Sequence, residues 1–306
     1  MKRTAIFILI WAPTVFSQQM PDSINHVVDS LFVRASSINV YYSDLVQPSK
    51  EALGEMGETA VPRLVEKMST QDAREMQALE DVFKLIGHPA VSGLVDALGS
   101  NDVYRRRLAA RILGEMADSS SLTGLLSYTK DADFRMRAGV ISALGKIKDR
   151  RGVAPSLIAL DDGDYLVRTS AAVALSNLKD PATIQPLLKA LSDPYYGVRY
   201  SAGSALINMG TPSVLPVLNA LNKPPDSLAF YLLIEIAGNL QDPRFTAPLS
   251  RIIESNDPFA RAFAADALGR IGSKNALETL RKRYEIETHP LVISKIEAVE
   301  LNQNGP

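Results

Sequence analysis

Arginine and aspartate recur along this chain at a fixed interval, and they are the first residues to weigh for chemistry. Arg106, Arg137, Arg168 and Arg199 are evenly spaced, and Arg261 falls two further steps along. A row of guanidinium groups would bind anions along a surface. Alternatively, each arginine would bond loop carbonyls or Asp residues of its own or the next repeat. Recurrence in nearly every repeat favours the structural role. Asp102, Asp133, Asp164, Asp226 and Asp257 recur at the same interval. An Asp just before a helix accepts backbone N–H bonds and suits the positive helix end, worth about 1 kcal/mol each. These carboxylates fall one per repeat and are not gathered in a calcium loop. Asp161-Asp162-Gly163-Asp164 is the dense run, open to calcium binding or to capping plus solvation.

The other reactive residue types are sparse. His88 and His289 each precede a proline at a helix start, where capping is the expected role, and His26 has no metal-ligand partners at ligand spacing. The chain has no cysteine, which removes disulfides, thiolate chemistry and Cys-based zinc sites. It contains no Gly-x-Ser-x-Gly elbow, phosphate loop, His-Glu-x-x-His or dinucleotide fingerprint. The expectation is no enzyme activity, no catalytic residue, no cofactor and no metal.

The elements that carry these residues are helices. Repeating the step from Arg106 to Arg137 aligns RRLAARILG (106–114), RAGVISALG (137–145), RTSAAVALS (168–176), RYSAGSALI (199–207), FYLLIEIAG (230–238) and RAFAADALG (261–269) without insertion. Leu113, Leu144, Leu175, Leu206, Ala237 and Leu268 form one apolar column. Ala109, Val140, Ala171, Ala202 and Ala264 form a second, and Ile112, Ala143, Ala174, Ala205, Ile236 and Ala267 a third. Together they make the i, i+3, i+4 stripe of an amphipathic helix, here called helix B. Helix A opens with prolines such as Pro155, Pro186, Pro216 and Pro248, after turns marked by Asp149, Asp180 and Asp242. A proline near a helix start costs little. A stack of such pairs buries its core between neighbours and leaves a long surface.

Recognition is sought where the repeats differ. One helix-B face carries Thr169, Val173 and Asn177, then Tyr200, Ser204 and Asn208, then Tyr231, Glu235 and Asn239. Residues four apart share a helix face. If helix B lines the concave surface, Tyr200 and Tyr231 are neighbours there, above a row of Asn177, Asn208 and Asn239. Tyr196 begins the same repeat, and Lys223-Pro224-Pro225 opens the irregular one, in which Phe230 replaces the ladder arginine. Residues 196–239 then form the centre of a partner groove. The competing reading is that the tyrosines pack and the asparagines bond adjacent turns.

The phrase Asp164-Tyr165-Leu166-Val167-Arg168 through Ala174-Leu175 resembles the HEAT-like repeats of the short type first associated with phycobilisome lyases. The resemblance spans roughly residues 58–300. It implies an all-α fold, an α-solenoid built as a right-handed superhelix of HEAT-like two-helix repeats. That repeat serves enzymes, enzyme partners and scaffolds alike. Deoxyhypusine hydroxylase, similar in fold, binds iron through His-Glu pairs; here the histidines read His26-Val27, His88-Pro89 and His289-Pro290. No catalytic residue is carried over.

Lys2, Arg3 and the apolar run Ala5 to Ala12, followed by Pro13 and Val15-Phe16-Ser17, resemble a leader of residues 1–17 with Gln18 as the mature start. The run is shorter than the roughly 20 residues that span a bilayer, so no transmembrane segment is expected after cleavage. The formal charge is −1, and −3 without Lys2 and Arg3, which argues against nucleic acid. Residues 18–57 are expected to form a helical cap, residues 58–301 an array of about eight repeats, and residues 302–306 a flexible tail. The expected function is an exported scaffold, periplasmic or secreted, that binds a protein or peptide. The alternative is a lyase-like or chaperone-type accessory protein acting on a bound cofactor or polymer.

Overall fold

A computed structural model of the chain describes residues 19–303. The expected leader, its cleavage point before Gln18, and residues 304–306 lie outside the described residues. The described residues form eighteen α-helices joined by short 3-10 turns, with no strand among them. The fold is an all-α solenoid. No helix among the described residues is long and apolar enough to cross a membrane. Packing divides the chain into two compact units, at Leu125/Leu126.

The first unit begins with α1 (Gln19–Ala35) and α2 (Val46–Glu55), then α3 (Val61–Lys67), α4 (Ala73–Ile86), α5 (Val91–Ala97), α6 (Val103–Met116) and the start of α7 (Leu122–Leu126). Helix α1 packs on α2 and α3, and α2 packs on α4. Residues 18–57, set apart in the sequence as a cap, thus hold two helices in the same alternation. Their residues do not follow the repeat phrase, yet Lys50 on α2 bonds Asp81 on α4 at 2.8 Å. Val28, Phe32 and Leu53 are buried. Asp29 on α1 receives Arg63 at 2.8 Å and Lys67 at 2.6 Å, both from α3.

The second unit continues with α8 (Phe134–Ile147), α9 (Val153–Ala159), α10 (Tyr165–Leu178), α11 (Ile184–Ala190), α12 (Tyr196–Met209) and α13 (Thr211–Asn222). It ends with α14 (Ser227–Leu240), α15 (Thr246–Ile252), α16 (Pro258–Ile271), α17 (Lys274–Tyr284) and α18 (Pro290–Gln303). The helix-B elements α8, α10, α12, α14 and α16 begin at the constant interval read from the sequence, and each packs on the next. Helix α18 begins one residue later than that interval and runs through Gln303, so Asn302 and Gln303 belong to it and not to a tail.

Local chemistry explains these helices. Asp102, Asp133, Asp164, Asp226 and Asp257 each cap a helix B by accepting backbone N–H groups of its first turn. All three apolar columns are buried. Truncating a leucine such as Leu144 to alanine costs about 2–5 kcal/mol. Helices α6, α8, α10 and α14 end on Ala117, Lys148, Lys179 and Gln241, in left-handed backbone with φ between 51° and 58°. Non-glycine residues adopt that conformation at a cost of about 1–2 kcal/mol. Close approach is set by small residues. A Cβ on Gly145 would lie 2.5 Å from Ala174 Cα, and one on Gly238 would lie 2.7 Å from Ala267 Cα.

Candidate interaction surface

The ladder arginines are consumed by the fold. Arg137 forms a two-pronged pair with Asp162 at 2.8 and 2.9 Å, and its third nitrogen donates to the Asp131 carbonyl at 2.8 Å. Arg168 repeats the arrangement with Asp193 and the Asp162 carbonyl. Arg261 binds Glu287 at 2.8 and 2.9 Å and the Ser255 carbonyl at 3.0 Å. Arg106 donates to the Ser100 carbonyl at 2.9 Å. Arg137, Arg168 and Arg261 each join their own loop to an acidic residue of the next repeat. The planar fork suits that task, because a bidentate carboxylate and a carbonyl use separate N–H groups.

The ladder is interrupted between α12 and α14. Arg199 donates to the carbonyls of Asp193 and Pro194 at 2.8 and 3.1 Å. Position 224, which would supply its carboxylate, is proline, and position 230 is phenylalanine. Ile207 stands where α8 and α14 have Gly145 and Gly238, and Ile236 stands where α10 and α16 have Ala174 and Ala267. The α12–α14 contact is the least extensive between successive helix-B elements of this unit.

The dense acidic run is divided among three tasks: Asp161 meets Lys189 at 3.1 Å, Asp162 pairs with Arg137, and Asp164 caps α10. Among the described residues no group of three His, Asp or Glu side chains is placed to hold a metal. Neither His88 nor His289 caps a helix with its ring. His88 Nδ1 lies 2.8 Å from an Asp118 carboxylate oxygen, and His289 offers its backbone N–H to Glu287 at 2.9 Å. Gly87, ahead of His88, takes the cap position without a side-chain bond.

The recognition residues separate into two groups. Tyr196 and Tyr200 are 63% and 57% exposed, with rings stacked at 6.0 Å between centroids. The Arg199 guanidinium lies 5.6 Å from the Tyr196 ring, a cation–π distance. Tyr231 is half-buried. Its hydroxyl donates to an Asp257 carboxylate oxygen, and its ring meets Phe230 and Phe263. The Asp257 carboxylate raises the Tyr231 phenol above its ordinary range by holding the proton. The asparagine row also divides. Asn177 is exposed. Asn208 donates to Ser176 Oγ at 2.9 Å. Asn239 donates to the Glu235 carbonyl at 2.9 Å and accepts from Arg270 at 2.8 Å. Glu235 is exposed.

An aromatic column went unread in the sequence. Phe134, Tyr165 and Tyr196 occupy the first position of helix B in three successive repeats, and all three are exposed. Tyr165 also meets Tyr195, with ring centroids 3.9 Å apart. The same repeat step that revealed the core columns would have shown this one.

A family model described as HEAT repeats matches residues 91–176, 153–229 and 218–300. The chain is a HEAT-repeat protein. Among solved structures, yeast importin-beta (Kap95p) matches this HEAT array with a TM-score of 0.59 at 13% identity, over 96% of this chain and 48% of that one. The HEAT array therefore spans about half the length of importin-beta. YibA of Escherichia coli matches with a TM-score of 0.52 at 20% identity, over 82% of this chain and 95% of that one. The complex of CpcE and CpcF of phycocyanin lyase from Nostoc gives 0.42 at 22% identity, over 69% and 93%. At these identities the likeness to importin-beta and YibA shows the fold. No curated protein sequence matches the chain.

Proposed function

We propose that this HEAT array is an exported, non-enzymatic scaffold that binds a protein or peptide partner along the helix-B face around α10 and α12. The observation that carries the reading is the stacked, exposed pair of Tyr196 and Tyr200. Tyrosine gives large contact area and a hydroxyl at low conformational cost, and it is enriched where interfaces gain their energy. Asp162, Asp193 and Glu287 are engaged by the arginine ladder. The arginines hold Asp162 and Glu287 below their ordinary range, which keeps them ionised and poorly suited to donate protons. Surface recognition is then what the molecule has to offer.

The test is quantitative affinity capture from the native envelope with wild-type protein and a Tyr196→Ala/Tyr200→Ala variant. A partner recovered by the wild type should fall at least about tenfold in the variant, a loss of ~1.4 kcal/mol or more, while the thermal melt stays unchanged. Equal recovery refutes the reading. Export is checked separately by determining the amino terminus of the protein recovered outside the cytoplasm. A start at Gln18 supports it, and a start at Met1 in the cytoplasmic fraction refutes it.

A further inference from the structure

The helix-B position that carries Tyr200 in α12 and Tyr231 in α14 carries Ala262 in α16. Ala262 is buried, and above its single methyl group the surface opens into a pocket of about 340 Å³. That volume falls within the range of real binding sites and suits one large apolar side chain with its flanks. Phe263 from α16 and Leu291 from α18 supply apolar walls and are 40% and 37% exposed. Isolated exposed apolar residues are ordinary on a protein surface. The charges around these two are less ordinary.

Asp266 sits on the same helix and is already satisfied: Arg270 Nε lies 2.9 Å from it and Lys295 Nζ 3.9 Å. Arg270 is held a second time by Asn239 at 2.8 Å. Glu235, on the α14 side, has no ion-pair partner among the described residues and is exposed. Lys295, on the α18 side, has the longest of these contacts and a side chain 46% exposed. Helix α14 packs on α16, and α16 packs on α18. The pocket therefore presents an unpaired carboxylate on one flank, an apolar floor, and a loosely held amine on the other flank. Opposite charges at the two flanks of an apolar seat select orientation as well as composition in a bound chain.

We infer that this pocket seats an apolar side chain of a peptide partner, with a basic residue of that peptide on Glu235 and an acidic residue on Lys295. The inference rests on the helix-B face being a recognition surface and adds the residue order that this part of it reads.

The test is selection of a displayed random-peptide library on the whole chain, followed by fluorescence-polarisation affinities for one recovered peptide. Recovered peptides should share the order basic, apolar, acidic. Glu235→Lys should weaken the chosen peptide at least about tenfold, and replacing the peptide's basic residue with Glu should restore binding to that variant. Ala262→Tyr, which installs the residue found at this position in α12 and α14, should fill the pocket and abolish binding. Failure to recover peptides, recovery without the charge order, or affinity unchanged in both variants overturns the inference. Competition by free leucine would also overturn it, by assigning the pocket to a small zwitterion. Loss of capture by the Tyr196 and Tyr200 variant alongside any of these results would leave the wider recognition reading intact.

Discussion

Glu287 closes the arginine ladder, and its removal should be felt in a pH-dependent way. Its side chain is 1% exposed, and Arg261, 11% exposed, binds it through two nitrogens. Arg283 adds a contact at 2.8 Å, and the N–H groups of Thr288 and His289 donate at 3.0 and 2.9 Å. The Arg261 guanidinium, against the opposing effect of burial and with help from these donors, lowers the Glu287 carboxyl from 4.5 to about 2. That gap corresponds to ~3 kcal/mol of stability carried by the ionised form. The folded value is the depressed one, so the stability is fully present above pH 4.5 and is lost as the pH falls toward 2. Glu287→Gln keeps the shape but leaves the Arg261 charge buried without its counter-ion, a change of the kind that costs about 3–5 kcal/mol. Urea unfolding followed by circular dichroism should show the variant weaker by ~3 kcal/mol near neutral pH. The difference should shrink below about 0.5 kcal/mol near pH 2, where the wild-type carboxyl is itself taking up a proton. Equal midpoints at neutral pH, or a penalty of unchanged size in acid, would refute this account of the ladder.

Three further outcomes follow from the packing. Gly238→Ala places a methyl 2.7 Å from Ala267 Cα, forces α14 and α16 apart, and should cost about 1–3 kcal/mol in a thermal melt. Ala117→Gly relieves a left-handed alanine at φ 51° at the end of α6 and should stabilise the first unit by about 0.5–1 kcal/mol, read from its urea midpoint. Pro224→Asp returns to Arg199 the carboxylate that Asp162 and Asp193 give to Arg137 and Arg168. The melting temperature should rise by the equivalent of about 1 kcal/mol, and no rise would show that the interruption at α12–α14 costs nothing.

Much of this molecule was legible from one dimension. The constant repeat step located every helix B from α6 to α16, and the Asp caps marked where each begins, except at α12, where Tyr195 holds the cap position without a side-chain bond. Both signals are local: a cap acts within its own first turn, and an amphipathic stripe depends only on the helical period. The recurrence of the arginines announced that they would bond carbonyls and Asp residues of their own or the next repeat, but not that Asp162 is the partner of Arg137. Their separation belongs to no helical period and is closed only when neighbouring repeats stack. The same holds for Glu287, displaced by the extra residue before α18. The left-handed helix ends at Lys148, Lys179 and Gln241 carry no glycine to announce them.

The candidate surface shows the division most plainly. The sequence placed Tyr200 and Tyr231 on the same helix position and was right about that. Tertiary structure sent the Tyr231 hydroxyl to Asp257 and left Tyr200 stacked on Tyr196 in solvent. It also opened the pocket at Ala262, whose smallness matters only because α14 and α18 stand on either side of it. Register along a helix is fixed by bonds within the helix, so the residues alone determine it. Lateral neighbours depend on how closely the helices approach, which bulk at a few positions such as Gly145, Ile207, Ile236 and Gly238 decides only once the helices are packed.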